Sequence, residues 1–471
     1  MTVRRVVRMI LTSAAPLLAP LTGGCRGIDV VPNAAAVSRV TVTLAPGSAA
    51  VRQTVQATAV PQDAAGNTLT GRIVTWSSSD TTIATVSASG LVISIAIGNA
   101  NIVATVDGTI GQLSFRVHGP AVIWASVNTG GDYTCGVTVE GAGYCWGYGG
   151  DGELGTGVSQ VVSTVPTAVA GGLRFTWIGA GDVATCGLTV AGAVYCWGVD
   201  RFAPSANGGG ARTNTPLPFA DSLRFASISV GAGHACGVAT TGWAYCWGAG
   251  TDGALGDGLA SNSSAPVAVS GGLTFTLVSA GEHSCGLTVS GAAYCWGSNS
   301  FGQLGTGLTT NSDVPMPVAG ALTFAALSVG RPATCGVTAA GTAYCWGFDL
   351  VRYGSGNRSY VPVAVPAWLA VTSVSTGDTH SCGITATGAA YCWGDGANGD
   401  LGNGSSTVAP APSGPAAVMG GLSFKSVSVA GRTSCGITVD GAAYCWGDNT
   451  YGQLGTGSTT SSNVPVPVAV P

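Results

Sequence analysis

One phrase occurs seven times between Cys135 and Gly447: a cysteine, nine residues, a second cysteine, then Trp-Gly. The pairs are Cys135/Cys145, Cys186/Cys196, Cys236/Cys246, Cys285/Cys295, Cys335/Cys345, Cys382/Cys392 and Cys435/Cys445. Successive first cysteines lie 47 to 53 residues apart. A period near fifty residues marks an array of supersecondary units that bury their apolar faces on one another.

The fourth copy shows the unit. Alternating apolar residues predict strands over Phe275–Ser279, Cys285–Val289, Ala292–Trp296 and Val314–Val318. The middle two form a hairpin around Ser290-Gly291. A three-residue connection sets Cys285 opposite Cys295, within disulfide range. Alternation then sends Tyr294 and Trp296 to the other face, against a neighbouring unit. Each staple closes a loop worth about 2 to 3 kcal/mol on the chain-entropy estimate.

Seven four-stranded units around an axis make a β-propeller. The first unit starts abruptly at Trp124, and the chain ends in a spare strand, PVPVAV (465–470). The expectation is that this strand completes the first unit and closes the ring without a free sheet edge.

Composition supports an all-β chain. Glycine numbers 75 of 471 residues and charged residues only 8%, with aromatics retained; a disordered chain is charged and poor in aromatics. The net charge is −4, and −7 once residues 1–24 are set aside. With a single lysine, Lys425, the chain has no electrostatic footprint for nucleic acid or anionic lipid. Fifteen cysteines, fourteen in regular pairs, argue for an oxidising compartment.

Residues 1–24 read as a signal peptide, with Arg4, Arg5 and Arg8 before an apolar run too short to span a bilayer. LTGGC (21–25) resembles a bacterial lipoprotein processing box, with Thr22 where leucine is usual. Cys25, the one cysteine without a repeat partner, is then the lipidation site; ordinary cleavage would instead leave a free thiol. A tether follows over 25–37. These features predict an exported bacterial protein in the periplasm or at the outer membrane or cell surface, touching membrane only through its N-terminal lipid.

Residues 38–118 lack cysteine and hold six alternating runs: 40–46, 54–61, 73–80, 83–92, 100–108 and 112–117. This is a β-sandwich pattern. Trp76-Ser77-Ser78-Ser79-Asp80, Ala84-Thr85-Val86 and Gly90-Leu91-Val92 resemble the group 2 bacterial immunoglobulin-like domain, which serves as a spacer or adhesive module; Trp76 reads as core. Residues 121–471 resemble the regulator of chromosome condensation repeat, a seven-bladed propeller family. The likeness rests on Gly281–Gly286, Gly291 with Tyr294-x-Trp296-Gly297, and Gly302-Gln303-Leu304-Gly305. The cysteine ladder points to a secreted bacterial branch. Nucleotide exchange, known for the nuclear member, is not carried over, because an exported protein meets neither small GTPases nor nucleosomes. The predicted architecture is all-β: a seven-bladed β-propeller with an N-terminal immunoglobulin-like β-sandwich.

Propeller connections alternate between two faces. The loops before each first cysteine carry Asp132, Asp182, Glu282, Arg331, Asp378 and Arg432. The loops after Trp-Gly share that face and add Glu153, Arg201, Phe202, Arg352, Tyr353 and Asp400, among others. Charge and aromatics concentrated on one loop face form a candidate binding face, although wet loops also collect a chain's few charges. Repeats two and five replace the Gly-Gln-Leu-Gly turn with DRFAPSANGGGARTN (200–214) and DLVRYGSGNRSY (349–360).

His234, His283 and His380 share one slot, two residues before a first cysteine. They read as blade residues bonded to their own loops, and no metal or other cofactor is expected. No nucleophile elbow, zinc-protease motif or phosphate loop occurs. The expected function is non-enzymatic recognition of an unidentified protein or glycan. The alternatives are a propeller enzyme acting on polysaccharide or peptide through two acids at the channel mouth, and a purely structural surface component.

Overall fold

The computed structural model describes residues 35–471 apart from 52, 119–121, 159–161, 200–211, 221, 349–357, 367 and 407–413. The signal peptide, Cys25 and most of the tether lie outside the described residues, as do Arg201, Phe202, Arg352 and Tyr353. The chain divides into two compact units, 1–118 and 119–471.

The first unit is a sandwich of two four-stranded sheets. One orders strands 39–44, 54–62, 91–94 and 84–86; the other orders 48–50, 109–118, 98–106 and 75–78. The longest hairpin turns on Asp107-Gly108, both at positive φ, as a two-residue connection between right-twisted strands requires. Val55, Ala84, Val92, Ile102 and Phe115 fill the core, with Trp76 against its edge. Two details differ from the sequence reading. The run 83–92 breaks into Ala84–Val86 and Leu91–Ser94, paired as a hairpin. Ser48–Ala50 forms a short strand parallel to Thr109–His118, in the sheet opposite Arg39–Leu44.

The second unit holds seven four-stranded antiparallel sheets, each built from four consecutive strands. The blades span 124–168, 175–219, 225–268, 275–317, 324–364, 373–417 and 424–467. In every blade the two cysteines occupy one cross-strand pair, and all seven disulfides form with Cα atoms 4.0–4.1 Å apart. The repeated Cys-Gly follows from packing. A Cβ on Gly286 would sit 2.5 Å from the ring of Phe275 in the adjacent inner strand, so only glycine lets that ring lie flat.

The seven staples are not wholly equivalent, as a strict repeat would have them. Cys196 is 1% and Cys345 5% exposed, whereas the other twelve paired cysteines are at 0%. Both still bond to their predicted partners, Cys196 to Cys186 and Cys345 to Cys335. Both lie in blades 2 and 5, the blades with replaced turns, and both remain buried.

Alternation across each blade creates one recurring interface. The disulfide of a blade faces the Trp-Gly tryptophan of the next: Cys135 and Cys145 pack with Trp197, Cys186 and Cys196 with Trp247, Cys236 and Cys246 with Trp296. The same holds for Cys285 and Cys295 with Trp346, Cys335 and Cys345 with Trp393, and Cys382 and Cys392 with Trp446. These six tryptophans, and Trp146 of blade 1, are all buried. Such indoles each bury a large apolar area, so every blade interface contributes hydrophobic stabilisation to the propeller.

The ring closes, but not by strand exchange. Ser462–Pro467 pairs with Ala443–Gly447 of its own blade, Cys445 opposite Val466. The outer edge of blade 1 is occupied by its own Val162–Ala168, which leaves no vacancy for a terminal strand. Closure instead repeats the ordinary interface, with Cys435 and Cys445 against Trp146 and Trp124, and Val466 and Val468 alongside. Trp124 N–H donates to the Gly441 carbonyl at 2.9 Å, and Lys425 Nζ to the Trp124 carbonyl at 3.1 Å.

Candidate binding face at the channel mouth

The first strand of each blade lines the axis. Hydroxyls stitch these strands together: Ser229, Ser279, Ser328, Ser375 and Ser428 each accept a backbone N–H from the next blade's inner strand at 2.9–3.1 Å. At the strand ends glycines meet around the axis. A Cβ on Gly181, Gly231, Gly281 or Gly330 would fall 2.1–2.5 Å from the following blade's glycine carbonyl, so the ring narrows there to bare backbone. Above this floor lies a cavity of about 100 Å³ whose lining includes Asp182, Arg331, Thr376 and Asp378.

The loops before the first cysteines and those after Trp-Gly do emerge together. Tyr148 N–H donates to the Asp132 carbonyl at 3.0 Å, and Asp448 N–H to the Arg432 carbonyl at 2.9 Å. Arg331 of blade 5 pairs with Asp378 of blade 6 at 3.3 Å and reaches over the mouth to Asp182 of blade 2. Asp132, Glu282 and Arg432 occupy the matching loops of blades 1, 4 and 7 but are not among the residues lining the cavity.

Burial raises the pKa of Asp378 against the pull of Arg331. Burial and then Asp448 raise that of Asp132, opposed by Arg331 and Arg432. Glu282 is raised by burial and by the charges of Asp378 and Asp252, with no cation acting on it. The opposite face is made of hairpin turns and exposes Val139, Val190, Val289, Val439 and Trp243.

Two readings change. Glu153 and Asp400 do not belong to the exposed face; they are 1% and 0% exposed, in the Gly-x-Leu-Gly turns of blades 1 and 6. Burial pushes Glu153 up to about 7, and burial followed by Asp395 pushes Asp400 up to about 8. The slot histidines bond to the next blade rather than to their own loops. His234 Nε2 meets Ser284 Oγ at 2.6 Å, His283 meets Thr334 Oγ1 at 2.6 Å and His380 meets Ser434 Oγ at 2.7 Å. All three are buried with depressed pKa values, and among the described residues no three His, Cys, Asp or Glu converge on a point.

The Gly-x-Leu-Gly turn itself proves to be an inter-blade acceptor. The carbonyls of Gln453, Glu153, Ala254 and Asp400 each receive the indole N–H of the next blade's tryptophan at 2.7–3.0 Å. Trp247 and Trp393, which follow the two blades with replaced turns, have no partner for that N–H among the described residues; Trp346 lacks one as well. Near the C-terminal ends of the replaced segments, Arg212 and Arg358 hold equivalent places opposite Val199 and Phe348. Arg212 pairs with Asp151 at 2.7 Å, while Arg358 lies over the Phe301 ring at 4.7 Å. The sequence offered one signal for this pair that was not read: each arginine opens the outer strand of an aberrant blade.

Residues 290–337 and 440–471 match the Regulator of chromosome condensation (RCC1) repeat, and a second form of that repeat matches 267–303, 371–400 and 424–453. Residues 36–117 match the group 2 Bacterial Ig-like domain. The human E3 ubiquitin-protein ligase HERC2 is 36% identical over 91 residues, which are 18% of this chain and 2% of that protein. The chain therefore spans only a small part of that relative's length. The structure of human WBSCR16 aligns with TM-score 0.62 at 19% identity, over 70% of this chain and 94% of that one. Yeast RCC1 (Prp20), from its structure with Kap60, aligns with TM-score 0.58 at 20% identity, over 67% and 80% of the two chains. The chain carries regulator of chromosome condensation repeats, closed into a seven-bladed propeller and preceded in sequence by a group 2 bacterial Ig-like domain.

Proposed function

We propose that the propeller is a non-enzymatic recognition module that binds a protein or glycan through its loop face. The observation that carries this reading is the channel mouth: charged side chains from blades 2, 5 and 6 brought together on a rigid, glycine-floored ring. Loops held by a stiff scaffold are where proteins place binding residues. Blades 2 and 5, which supply Asp182 and Arg331, are also the two that depart from the repeat. The yeast fold relative is itself found with a protein partner, Kap60. Export and lipid anchoring through Cys25, to the periplasm or cell surface, belong to the same proposal. Seven buried disulfides support an oxidising destination.

The test is a glycan-array and protein-capture screen with the full chain, run in parallel with Asp378→Asn and with Val289→Ser on the opposite face. A ligand lost by the first variant and kept by the second, at unchanged melting temperature, supports the reading. A ligand that Asp378→Asn retains while Val289→Ser loses it places recognition on the turn face and sinks it.

A further inference from the structure

The channel mouth has an unbalanced charge pattern that points to the chemistry of its ligand. Around the axis, the residue after each inner glycine reads Asp182, Glu282, Arg331 and Asp378 in blades 2, 4, 5 and 6. Arg331 stands between Glu282 and Asp378 but turns its guanidinium to Asp378 and over the mouth to Asp182. Glu282 makes no ion pair among the described residues, and Asp252, the other acid near this rim, accepts from Asn311 Nδ2 at 3.0 Å.

A second feature is independent of the charges. Thr376 lines the cavity below Glu282, together with Asp182, Arg331 and Asp378; it is 4% exposed, and its hydroxyl has no hydrogen-bond partner among the described residues. A buried hydroxyl without a partner costs free energy that an incoming donor recovers. Arg331 supplies the third observation: a guanidinium already fits between two carboxylates of this rim.

Building on the binding-face reading, we propose that the mouth receives one basic side chain of a polypeptide ligand, held by Glu282 and Asp378 beside Arg331. The planar guanidinium is the best match, because its fork serves two carboxylates at once and leaves further donors free for a hydroxyl such as that of Thr376. Arg331 partly neutralises the site and so sets its affinity. Removing it leaves Asp182 and Asp378 without their internal cation and strengthens the site for an external one.

The experiment is isothermal titration of the purified full chain, at low salt, with the peptide acetyl-Gly-Gly-Arg-Gly-Gly-amide and its citrulline analogue. The arginine peptide should bind saturably, and the citrulline peptide at least about tenfold more weakly, the loss of a single charge-assisted contact. Glu282→Gln should weaken arginine binding about tenfold, whereas Arg331→Ala should strengthen it by a similar factor. Asp440→Asn, on the opposite face, should leave it unchanged. Absence of saturable binding in both wild type and Arg331→Ala would overturn the proposal, as would equal affinity for the citrulline peptide. A glucosamine oligomer binding more tightly than the arginine peptide would assign the site to an amino sugar and defeat the polypeptide reading. Displacement of the peptide by calcium chloride below millimolar concentration would assign it to a metal. Any of these results leaves the broader binding face standing if Asp378→Asn still abolishes capture of a screened ligand.

Discussion

Asp400 is the residue whose replacement most sharply tests how the blades pack. It sits in Gly399-Asp400-Leu401-Gly402 at 0% exposure, with neither carboxylate oxygen in hydrogen-bond geometry, and the nearby Asn398 side chain and Arg432 charge offset its burial only in part. The same position in blades 4 and 7 holds Gln303 and Gln453, whose Oε1 atoms accept the N–H of Phe301 and Tyr451 at 2.8 Å. Aspartate is one methylene shorter and makes no such bond. Its pKa is raised from 3.8 to about 8, so the folded chain keeps a proton that the unfolded chain sheds near pH 4. For a raised carboxyl the sign is that stability is greatest below the unfolded pKa and drains away as pH climbs toward the folded pKa. The slope is about 1.4 kcal/mol per pH unit between roughly pH 4 and pH 8. By pH 7 the accumulated cost has an upper bound near 4 kcal/mol, and about 2 kcal/mol is a reasonable share after relaxation. Asp400→Gln removes the titration and supplies the missing acceptor. Calorimetric scans of both proteins from pH 4 to pH 8 provide the assay. The difference in melting temperature should be small at pH 4 and grow to several degrees at pH 8. A difference that stays constant with pH, or is absent at pH 8, would refute the account of Asp400 as a buried, unpartnered carboxyl.

The other expectations draw on the same interfaces. His234, His283 and His380 are buried neutral, with pKa values lowered to about 4, 3 and 3. Their stabilisation is present above the ordinary histidine range and lost as pH falls, so His283→Asn should shallow the acid limb of the stability curve below about pH 6. Denatured but unreduced protein should yield almost no thiols; several free thiols would contradict the seven pairs. Trp124→Ala should cost about 3 to 5 kcal/mol by hollowing the closing interface. Trp243→Ala, at a residue 41% exposed, should change stability by only about 0.5 kcal/mol, as measured by denaturant titration.

The architecture was readable because the repeat repeats its physics. A fixed Cys–Cys spacing sets the hairpin register, and alternation then forces Trp296 to the face away from Cys295. What a single unit cannot show is its relation to its neighbours. The slot histidine reaches a hydroxyl one blade on, some fifty residues later, as His283 does to Thr334. Local spacing therefore suggested the wrong partner. Cys196 and Cys345 read as copies of the other cysteines for the same reason, since the cover over each staple comes from outside its own hairpin. Ring closure was misjudged on related grounds: the spare strand 465–470 looked unpaired only while blade 1 was assumed to lack an outer strand. At the candidate site the shared face of Asp182, Arg331 and Asp378 followed from loop alternation. The link from Arg331 to Asp182 depends on ring curvature, which no sequence pattern encodes. Glu153 and Asp400 were misplaced because charge was read as exposure, whereas their backbone carbonyls are what the next blade needs.

That last point makes the two aberrant blades informative. In blade 7 the turn's Gln453 carbonyl takes the Trp146 indole N–H at 2.9 Å. Blade 2 has no such turn, and the Trp247 N–H is buried without a partner among the described residues. The place that corresponds to the Gln453 carbonyl falls within 200–211, outside the described residues; a carbonyl held there as Gln453's is would contribute about 0.5 to 1.5 kcal/mol to blade 2. Exchange of parts provides the test. Residues 199–212 lie between Gly198 and Thr213, which pair as Gly447 and Ser462 do around residues 448–461. The two segments are equal in length, so blade 7's turn can be placed in blade 2 without altering the ladder. The chimera should melt a few degrees higher, its Trp247 indole proton should exchange more slowly with solvent, and ligand binding should fall. Slower exchange with binding intact would separate the turn from function. Unchanged exchange and stability would show that such a carbonyl adds nothing in blade 2, and would remove the reason for treating blade 2 as specialised.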